Sequence, residues 1–550
     1  MKSLKRLTVP VLVILAIGMG LGIKVESVVT SSDTYRHLEK LQDAFMIIHS
    51  NYVDEVDASN AAEFAIRGIL EELDPHSIYI SPDEIKEVQE SIQGSFGGVG
   101  IWFEVVEDTA RVVSTVPDGP SETAGLMAGD RIISVDDSNA VGFNDRQIQK
   151  HLKGPVGTNV EVTVHRPGIV QPLTFQVTRG NISIHTVDSD YMLDEQTGYI
   201  RLSRFAVSSY DEFIEAAARL KQQGMQRLVL DMRDNPGGVM ETAVRIVDEI
   251  LDGGRTIVYT ESRSGRFDVR HTSTEGGLLT TEPIIALVSP YSASASEIVA
   301  GALQDHDRGL IVGQRTFGKG LVQQQFSLPD GSVLQMTVSR YYTPSGRLIQ
   351  TPYNGGNETD YYEQKFSELD EATFEPAKYL NSLPDSLRFS TVHGRSVFGG
   401  GGILPDVIVP PDTASTFWPV VRRGLDMLFI RDWFTAREVD LRSEWASQPE
   451  EFLNSFEVDD QMWQAFIAYV DEKQQETIGE SEDAVPEEDV IALTSLTGNR
   501  SDLEILLKAR LARQIYGARS SYPIYNRLDP TIKQAMQLWS QAVSLAAYHR

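Results

Sequence analysis

The stretch SASASE (292–297) sets three serines at alternate positions ahead of an apolar run, and the middle one, Ser294, has alanines on both sides. A serine hydroxyl becomes a nucleophile only when a proton acceptor and oxyanion donors converge on it. Two other stretches offer such groups. Lys319 stands between glycines in RTFGKG (315–320), after an apolar strand-like run. A neutral lysine can act as general base, and moving it from ~10.4 to ~7 takes roughly 4 to 5 kcal/mol of environmental bias. Burial supplies that bias by penalising the ammonium. DNPGGV (234–239) ends another apolar strand and opens a helix, so Gly237 and Gly238 can turn backbone N–H groups towards a developing negative charge.

Each piece also has a plainer reading. Ser294 and Glu297 fit a helix-capping box, Ser-x-x-Glu. Gly237 and Gly238 fit a tight strand-to-helix turn that uses glycine for its dihedrals. A phosphate-binding lysine would need a Gly-x-x-x-x-Gly-Lys-Ser/Thr run, which does not stand at Lys319. A Ser-His-Asp triad would need a histidine: His306 adjoins Asp305 but lies three helical turns from Ser294, and His76 could approach only through tertiary folding. No His-Glu-x-x-His motif suggests a metal. By themselves the residues leave a serine hydrolase and these structural readings side by side.

The elements that must hold these groups are an alternation of strands and helices over 180 to about 350. QRLVLDMRDNPGG, PIIALVS and GLIVGQRTFGKG read as buried strands, and VMETAVRIVDEIL and ASEIVAGALQD as the helices between them, an α/β core. Short β-like runs divided by Gly and Pro fill residues 94–179, with one helix near NDRQIQKHL. Leu38, Leu41, Phe45 and Ile48, then Ala62, Ala65, Ile66, Ile69 and Leu73, recur at helical spacing and predict amphipathic helices over 33–90, a packing or oligomerisation surface. Residues 354–390 read as a polar, irregular surface insertion, 397–411 as a closing strand, and the remainder as helical. An acidic stretch at 476–489 reads as a solvated linker.

At 550 residues the chain predicts two to four domains. Lys plus Arg number 49 against 78 Asp plus Glu, a formal charge of −29 that argues against nucleic acid or anionic lipid as partner. With no cysteine there is no disulfide, thiolate metal site or cysteine nucleophile. Lys2, Lys5 and Arg6 precede an apolar run from Leu7 to Ile23 without an Ala-x-Ala site, which reads as an export signal or, preferably, an uncleaved inner-membrane anchor. The rest of the chain would then lie in the periplasmic part of the cell envelope.

LDPHSIYI, GSFGGVGI, AGLMAGDRIISVD, GPVGTNVEVTVHR, LVLDMRDNPGG, SASASEIVAGALQD, GQRTFGKGLVQ and YYTPSGRLIQ follow one another in an order that resembles the carboxyl-terminal processing (tail-specific) serine peptidases of family S41, over about residues 35–411. The resemblance implies a multidomain α/β protein: a ClpP/crotonase-like protease core (181–411), an inserted PDZ domain (92–180), N-terminal helices (33–90) after a signal or anchor (1–30), and a C-terminal helical extension (412–550). It implies Ser294 as nucleophile, Lys319 as general base and Gln323 as the polar residue that orients the lysine. Asp305 matches an acidic position of more structural character. The oxyanion hole would use the N–H of Ala295 and of the Gly237–Gly238 turn. In the PDZ domain, Phe96, Gly97, Gly98, Val99, Gly100 and Ile101 would form the carboxylate-binding loop, with the following strand pairing to a peptide. Neither metal nor other cofactor is implied. The partners implied are proteins with accessible C-terminal tails, with room for a regulatory adaptor and for a homodimer through the N-terminal helices. Two rivals stand against this reading: a PDZ scaffold on an inactive protease fold, and an acyl-CoA-type enzyme on the same core.

Overall fold

The computed structural model describes residues 32–106, 108–353, 358–411, 418–480, 491 and 493–547. The apolar run at 7–23 lies outside them, as does most of the acidic stretch. The chain divides into two compact units, 1–79 and 80–550. In the first, helices α1 (Ser32–Asn51) and α2 (Ala58–Glu71) follow the predicted periodicity, and Asp57 caps α2 by accepting from the N–H groups of Ser59 and Asn60. Along α1, Leu38, Leu41 and Ile48 are exposed and Phe45 is half-buried, while Leu70 of α2 is buried.

In the second unit, helix α3 (Ile85–Gln93) leads into strand β1 (Ser95–Gly98) and an antiparallel module of β2 (Ile101–Val106), β3 (Thr109–Thr115), β4 (Arg131–Val135), β5 (Asn159–His165) and β6 (Leu173–Thr178), adjacent in that order, with the short strand Ser138–Asn139 pairing off the path with β4. Helix α4 (Asp145–Leu152), closed by a capping box between Asn144 and Gln147, buries Ile148 and Leu152 against the sheet. The chain leaves the module through β7 (Gly180–Ser183), which pairs with β1, so entry and exit form one two-stranded ribbon.

The core sheet runs β8 (Val187–Met192), β9 (Thr197–Leu202), β10 (Arg227–Asp231), β12 (Ile284–Val288), β13 (Gly309–Gly313) and β16 (Val407–Ile408), parallel except for the β8–β9 pair. Between them come α5 (Ser209–Gln222), α6 (Met240–Asp248) and α7 (Ala295–Asp305), which pack on one face, while β11 (Thr256–Glu261), β14 (Leu321–Ser327) and β15 (Val333–Tyr342) belong to a second sheet. Alternate residues of each strand face opposite ways: Ile284 and Ala286 meet the α5–α7 layer, and Ile285 and Leu287 meet the other side. That other side is covered by the chain's last two helices.

Two readings change here. Residues 354–390 are not irregular: α8 (Glu358–Phe374) and α9 (Pro376–Ser382) occupy most of the stretch. The helical signal was hidden because the buried face of α8 carries Tyr361 and Lys365 beside Leu369. The acidic stretch is helical at its start, since α11 runs from Asp460 to Glu480. With α10 (Leu425–Trp445) and α12 (Arg500–Tyr516), α11 builds a separate aromatic-rich core around Phe429, Phe466 and Leu506. Helices α13 (Pro530–Gln537) and α14 (Trp539–Ala547) instead cover the second face of the core sheet with Ile532, Trp539 and Leu545. The extension also reaches the small β-module: buried Arg111 on β3 bonds Glu104 and, at 2.6 Å, the Thr435 hydroxyl of α10.

Candidate active site

Strand β10 ends in a buried carboxylate. Asp231 accepts from the Tyr199 hydroxyl at 2.7 Å, from Arg201 at 3.2 Å and from Arg233 at 2.7 and 2.9 Å. Burial opposes its charge, but Arg233 and Arg201 outweigh that and hold its pKa well below the carboxylate range. This network fixes the start of the DNPGGV turn, and Arg233 extends it to Asp529, the N-cap of α13, at 2.7 Å. Within the turn, Asn235 donates to the Leu202 carbonyl at 2.8 Å and accepts from Gly237 N–H at 2.9 Å. Both glycines have positive φ, 95° and 141°. A Cβ on Gly237 would meet the Ala293 carbonyl at 2.7 Å and Ser294 Cβ at 2.8 Å, so only glycine lets the two loops approach this closely.

The three serines of 292–297 then separate. Ser292 Oγ donates to the Met232 carbonyl at 2.7 Å and accepts from Ser289 N–H, and Ser296 Oγ donates to the Asn235 carbonyl at 3.0 Å. Both are buried clips between the elbow and the glycine turn. Ser294 faces a cleft of about 1110 Å³, shared with Gly237, Gly238, Lys319, Gln323 and Tyr341. Its backbone lies at φ 53°, ψ −110°, a strained conformation for a residue with a Cβ, held by the fully buried helix α7 that starts at Ala295. The Tyr341 hydroxyl donates to its carbonyl at 3.1 Å.

Glu297, read from the sequence as part of a helix cap, ties the site together. Its Oε2 accepts from Ser294 N–H at 2.8 Å and from Lys319 N–H at 2.9 Å. Its Oε1 accepts from the Thr316 hydroxyl and Gly318 N–H, both at 2.6 Å. Burial pushes its pKa up, and the four donated bonds oppose the rise. One carboxylate therefore joins the backbone of the serine elbow to the backbone of the lysine loop. A charged residue in the first turn of the otherwise apolar SEIVAGAL was the signal that it had buried partners.

The other sequence-predicted residues fall as follows. Gln323 opens onto the same cleft and donates to Thr337 Oγ1 across the β14–β15 pair at 3.3 Å. Ala295 N–H and Gly238 N–H donate to no acceptor among the described residues, whereas Gly237 N–H is taken by Asn235. Asp305 lies at the far end of α7, about 16 Å from Ser294 by helical rise, and pairs with buried Arg347 at 2.5 Å. His306 bonds the Thr256 carbonyl at 2.7 Å, and no histidine lines the cleft among the described residues. In the β-module, Phe96 to Gly98 are ladder residues of β1, so the open turn narrows to Val99–Gly100 with β2 beginning at Ile101. Among the described residues β2 is an end strand of that sheet, as is β6 at the other end. The sequence reading missed Lys365, which lies outside the cleft lining against Phe317 of the lysine loop.

Residues 196–362 match peptidase family S41, 97–178 match the PDZ domain, and 22–84 match the activating protease CtpB N-terminal domain. The chain is 36% identical over 331 residues to a carboxy-terminal-processing protease of Bartonella bacilliformis, covering 59% of this chain and 76% of that one. It is 38% identical over 275 residues to the carboxyl-terminal-processing protease of Picosynechococcus, covering 49% and 66%. Among solved structures, the photosystem II D1 C-terminal processing protease is 30% identical, with 58% of this chain and 86% of that chain covered and a TM-score of 0.33. The chain belongs to peptidase family S41, the serine-type carboxy-terminal processing proteases, and carries their PDZ domain.

Proposed function

We propose that the chain is a Ser/Lys endopeptidase acting on the C-terminal tails of cell-envelope proteins. The observation that carries this reading is the joint anchoring of Ser294 and Lys319 by Glu297 at the edge of one cleft. Ser294 Oγ attacks the scissile carbonyl while Lys319 Nζ takes its proton, then returns it to the leaving amine; water releases the acyl group by the reverse transfer. Gln323 orients the lysine. Of the backbone donors, Ala295 N–H and Gly238 N–H suit the oxyanion, because Gly237 N–H is already bonded to Asn235. Asp305 holds the far end of the nucleophile helix and takes no part in the chemistry.

The PDZ domain selects the substrate. A tail adds as a strand to the open edge of β2, with its terminal carboxylate at the Val99–Ile101 turn. The envelope location rests on the basic start and apolar run at 2–23. Among the described residues no helix is long and apolar enough to cross a membrane. The exposed Leu38, Leu41 and Ile48 of α1 and Ile69 of α2 support a homodimer through these helices, and a regulatory adaptor is a further partner of this reading.

Cleavage of an unstructured protein tail by wild type, Ser294→Ala and Lys319→Ala tests the assignment. Both variants should fold and lose cleavage. Full activity in either sinks the dyad. Turnover of an acyl-CoA thioester without peptide cleavage would favour the acyl-transfer rival instead.

A further inference from the structure

Helices α8 and α9 lie between YYTPSGRLIQ and the closing strand, and they pack on the loop that carries Lys319. Lys365 Nζ sits 3.1 Å from the centroid of the Phe317 ring, two residues before Lys319, and Tyr362 tilts against the same ring. The Tyr361 hydroxyl touches Gln350 at 3.5 Å, and Gln350 accepts from Gly320 N–H at 2.8 Å, the residue after Lys319. Arg315, at the start of the loop, stacks on Tyr379 of α9 and approaches Glu368 of α8 at 3.7 Å. Phe366 reaches Tyr291, on the approach to Ser294. The helix pair therefore touches both loops of the dyad.

Lys365 is the unusual member of this contact. It is buried, and its amine meets the Tyr361 hydroxyl at 3.4 Å and two aromatic faces rather than a carboxylate. A buried ammonium is costly unless it is paired and hydrogen-bonded. The groups that face it are Glu297 on α7, Arg315 and Lys319 on the loop, and Glu368 on its own helix.

We propose that Lys365 is a positioning residue for Lys319: its buried charge, seated on Phe317, favours the neutral amine of Lys319 and the ionised carboxylate of Glu297. The proposal rests on Lys319 being the general base. Two like charges close together in buried surroundings cannot both be held cheaply, so a cation at Lys365 weakens proton binding at Lys319. The same cation opposes the burial that pushes the Glu297 carboxyl up, and so preserves the acceptor that anchors both loops. Burial brings Lys365 itself down to about 7. Its charge is therefore present below pH ~7 and fades above it, so its influence belongs to the acid side of the activity profile.

The test is the pH profile of kcat/KM for the full chain on an internally quenched peptide with a free apolar C-terminus, comparing wild type, Lys365→Met, Lys365→Gln and Lys365→Arg. With each profile normalised to its own plateau, the neutral variants should fall about three- to tenfold below wild type at pH 6, a coupling of ~0.5–1 unit, and converge on wild type above pH ~8. Lys365→Arg should retain the wild-type acid limb. Stability should move the other way. A lysine whose folded pKa lies below its unfolded value costs stability as pH falls from ~10.4 towards 7, so Lys365→Met should melt at or above wild type at pH 6. A merely structural lysine would lower the melting temperature and scale the profile down without changing its shape. That result overturns the proposal, as does failure of both neutral variants to fold while Lys365→Arg folds. Loss of activity in Lys319→Ala with an unchanged Lys365→Met profile leaves the dyad standing and removes only the role of Lys365. Activity in Lys319→Ala removes the dyad itself.

Discussion

Gly237→Ala is the sharpest probe of the site, because its cost can be worked from three distances. The added Cβ would lie 2.7 Å from the Ala293 carbonyl oxygen, 2.8 Å from Ser294 Cβ and 2.9 Å from Ala295 N. None of these is the far end of a flexible side chain. Ordinary contact begins near ~3.5 Å, so the glycine turn and the serine elbow must separate by roughly 0.6–0.8 Å. Overpacking of this kind costs about 1–3 kcal/mol, and a side chain at φ 95° adds roughly 1–2 kcal/mol. A 1 Å misplacement at a reacting centre costs ~100-fold, so kcat should fall about 10- to 100-fold while the protein still folds. Gly224→Ala supplies the control. Gly224 has nearly the same backbone, φ 98°, but its nearest neighbour would be the Glu195 carbonyl at 3.9 Å. It should lose about 1–2 kcal/mol of stability and keep its kcat. Peptide hydrolysis and thermal melting of both variants decide the matter. Wild-type kcat in Gly237→Ala, or equal loss of kcat in both, would refute the claim that the close approach of the two loops builds the site.

Asp305→Asn should cost about 3–5 kcal/mol, because it leaves the buried Arg347 guanidinium without its carboxylate. The kcat of the folded fraction should stay within about threefold of wild type, since Ser294 is three turns away; denaturant titration beside active-site-normalised kinetics separates the two effects. Glu212 accepts from the N–H groups of Thr186 and Val187 and from Ser208 Oγ. Burial raises its pKa, but His185 and these donors outweigh it and hold the group at about 2. Its folded value lies below its unfolded value, so its stabilisation is complete above pH ~4.3 and is lost as pH falls towards 2. Wild type should therefore lose stability across that window and Glu212→Gln should lose less, as read by urea midpoints between pH 2.5 and 5.

The strands and most helices were legible because their apolar periods are strong. LVLDM, PIIALV and GLIVG contain runs too apolar to be half exposed, and each lies in a sheet covered on both faces. What covers the second face was not legible. Nothing local in 530–547 says that α13 and α14 belong to a sheet more than a hundred residues upstream. Helix α8 was missed for a different reason: its buried face carries tyrosine and lysine, so a reading that counts apolar residues sees only a polar loop.

In the site itself, the motifs pointed to Ser294, Lys319 and Gln323, and the structure brings all three to one cleft. The sequence also carried the need for glycine beside Ser294. Only the tertiary structure decided which groups each atom serves. It assigned Ser292 and Ser296 to clips, occupied Gly237 N–H with Asn235, and left the N–H groups of Gly238 and Ala295 without an acceptor among the described residues. It also kept Glu297 as the capping-box partner of Ser294 while making the same carboxylate join two loops, and set Lys365 against one of them. The physical reason is that residue type and spacing encode local backbone preference and hydrophobic period, whereas hydrogen-bond partners and the burial of a charge depend on segments that meet only after the chain has folded.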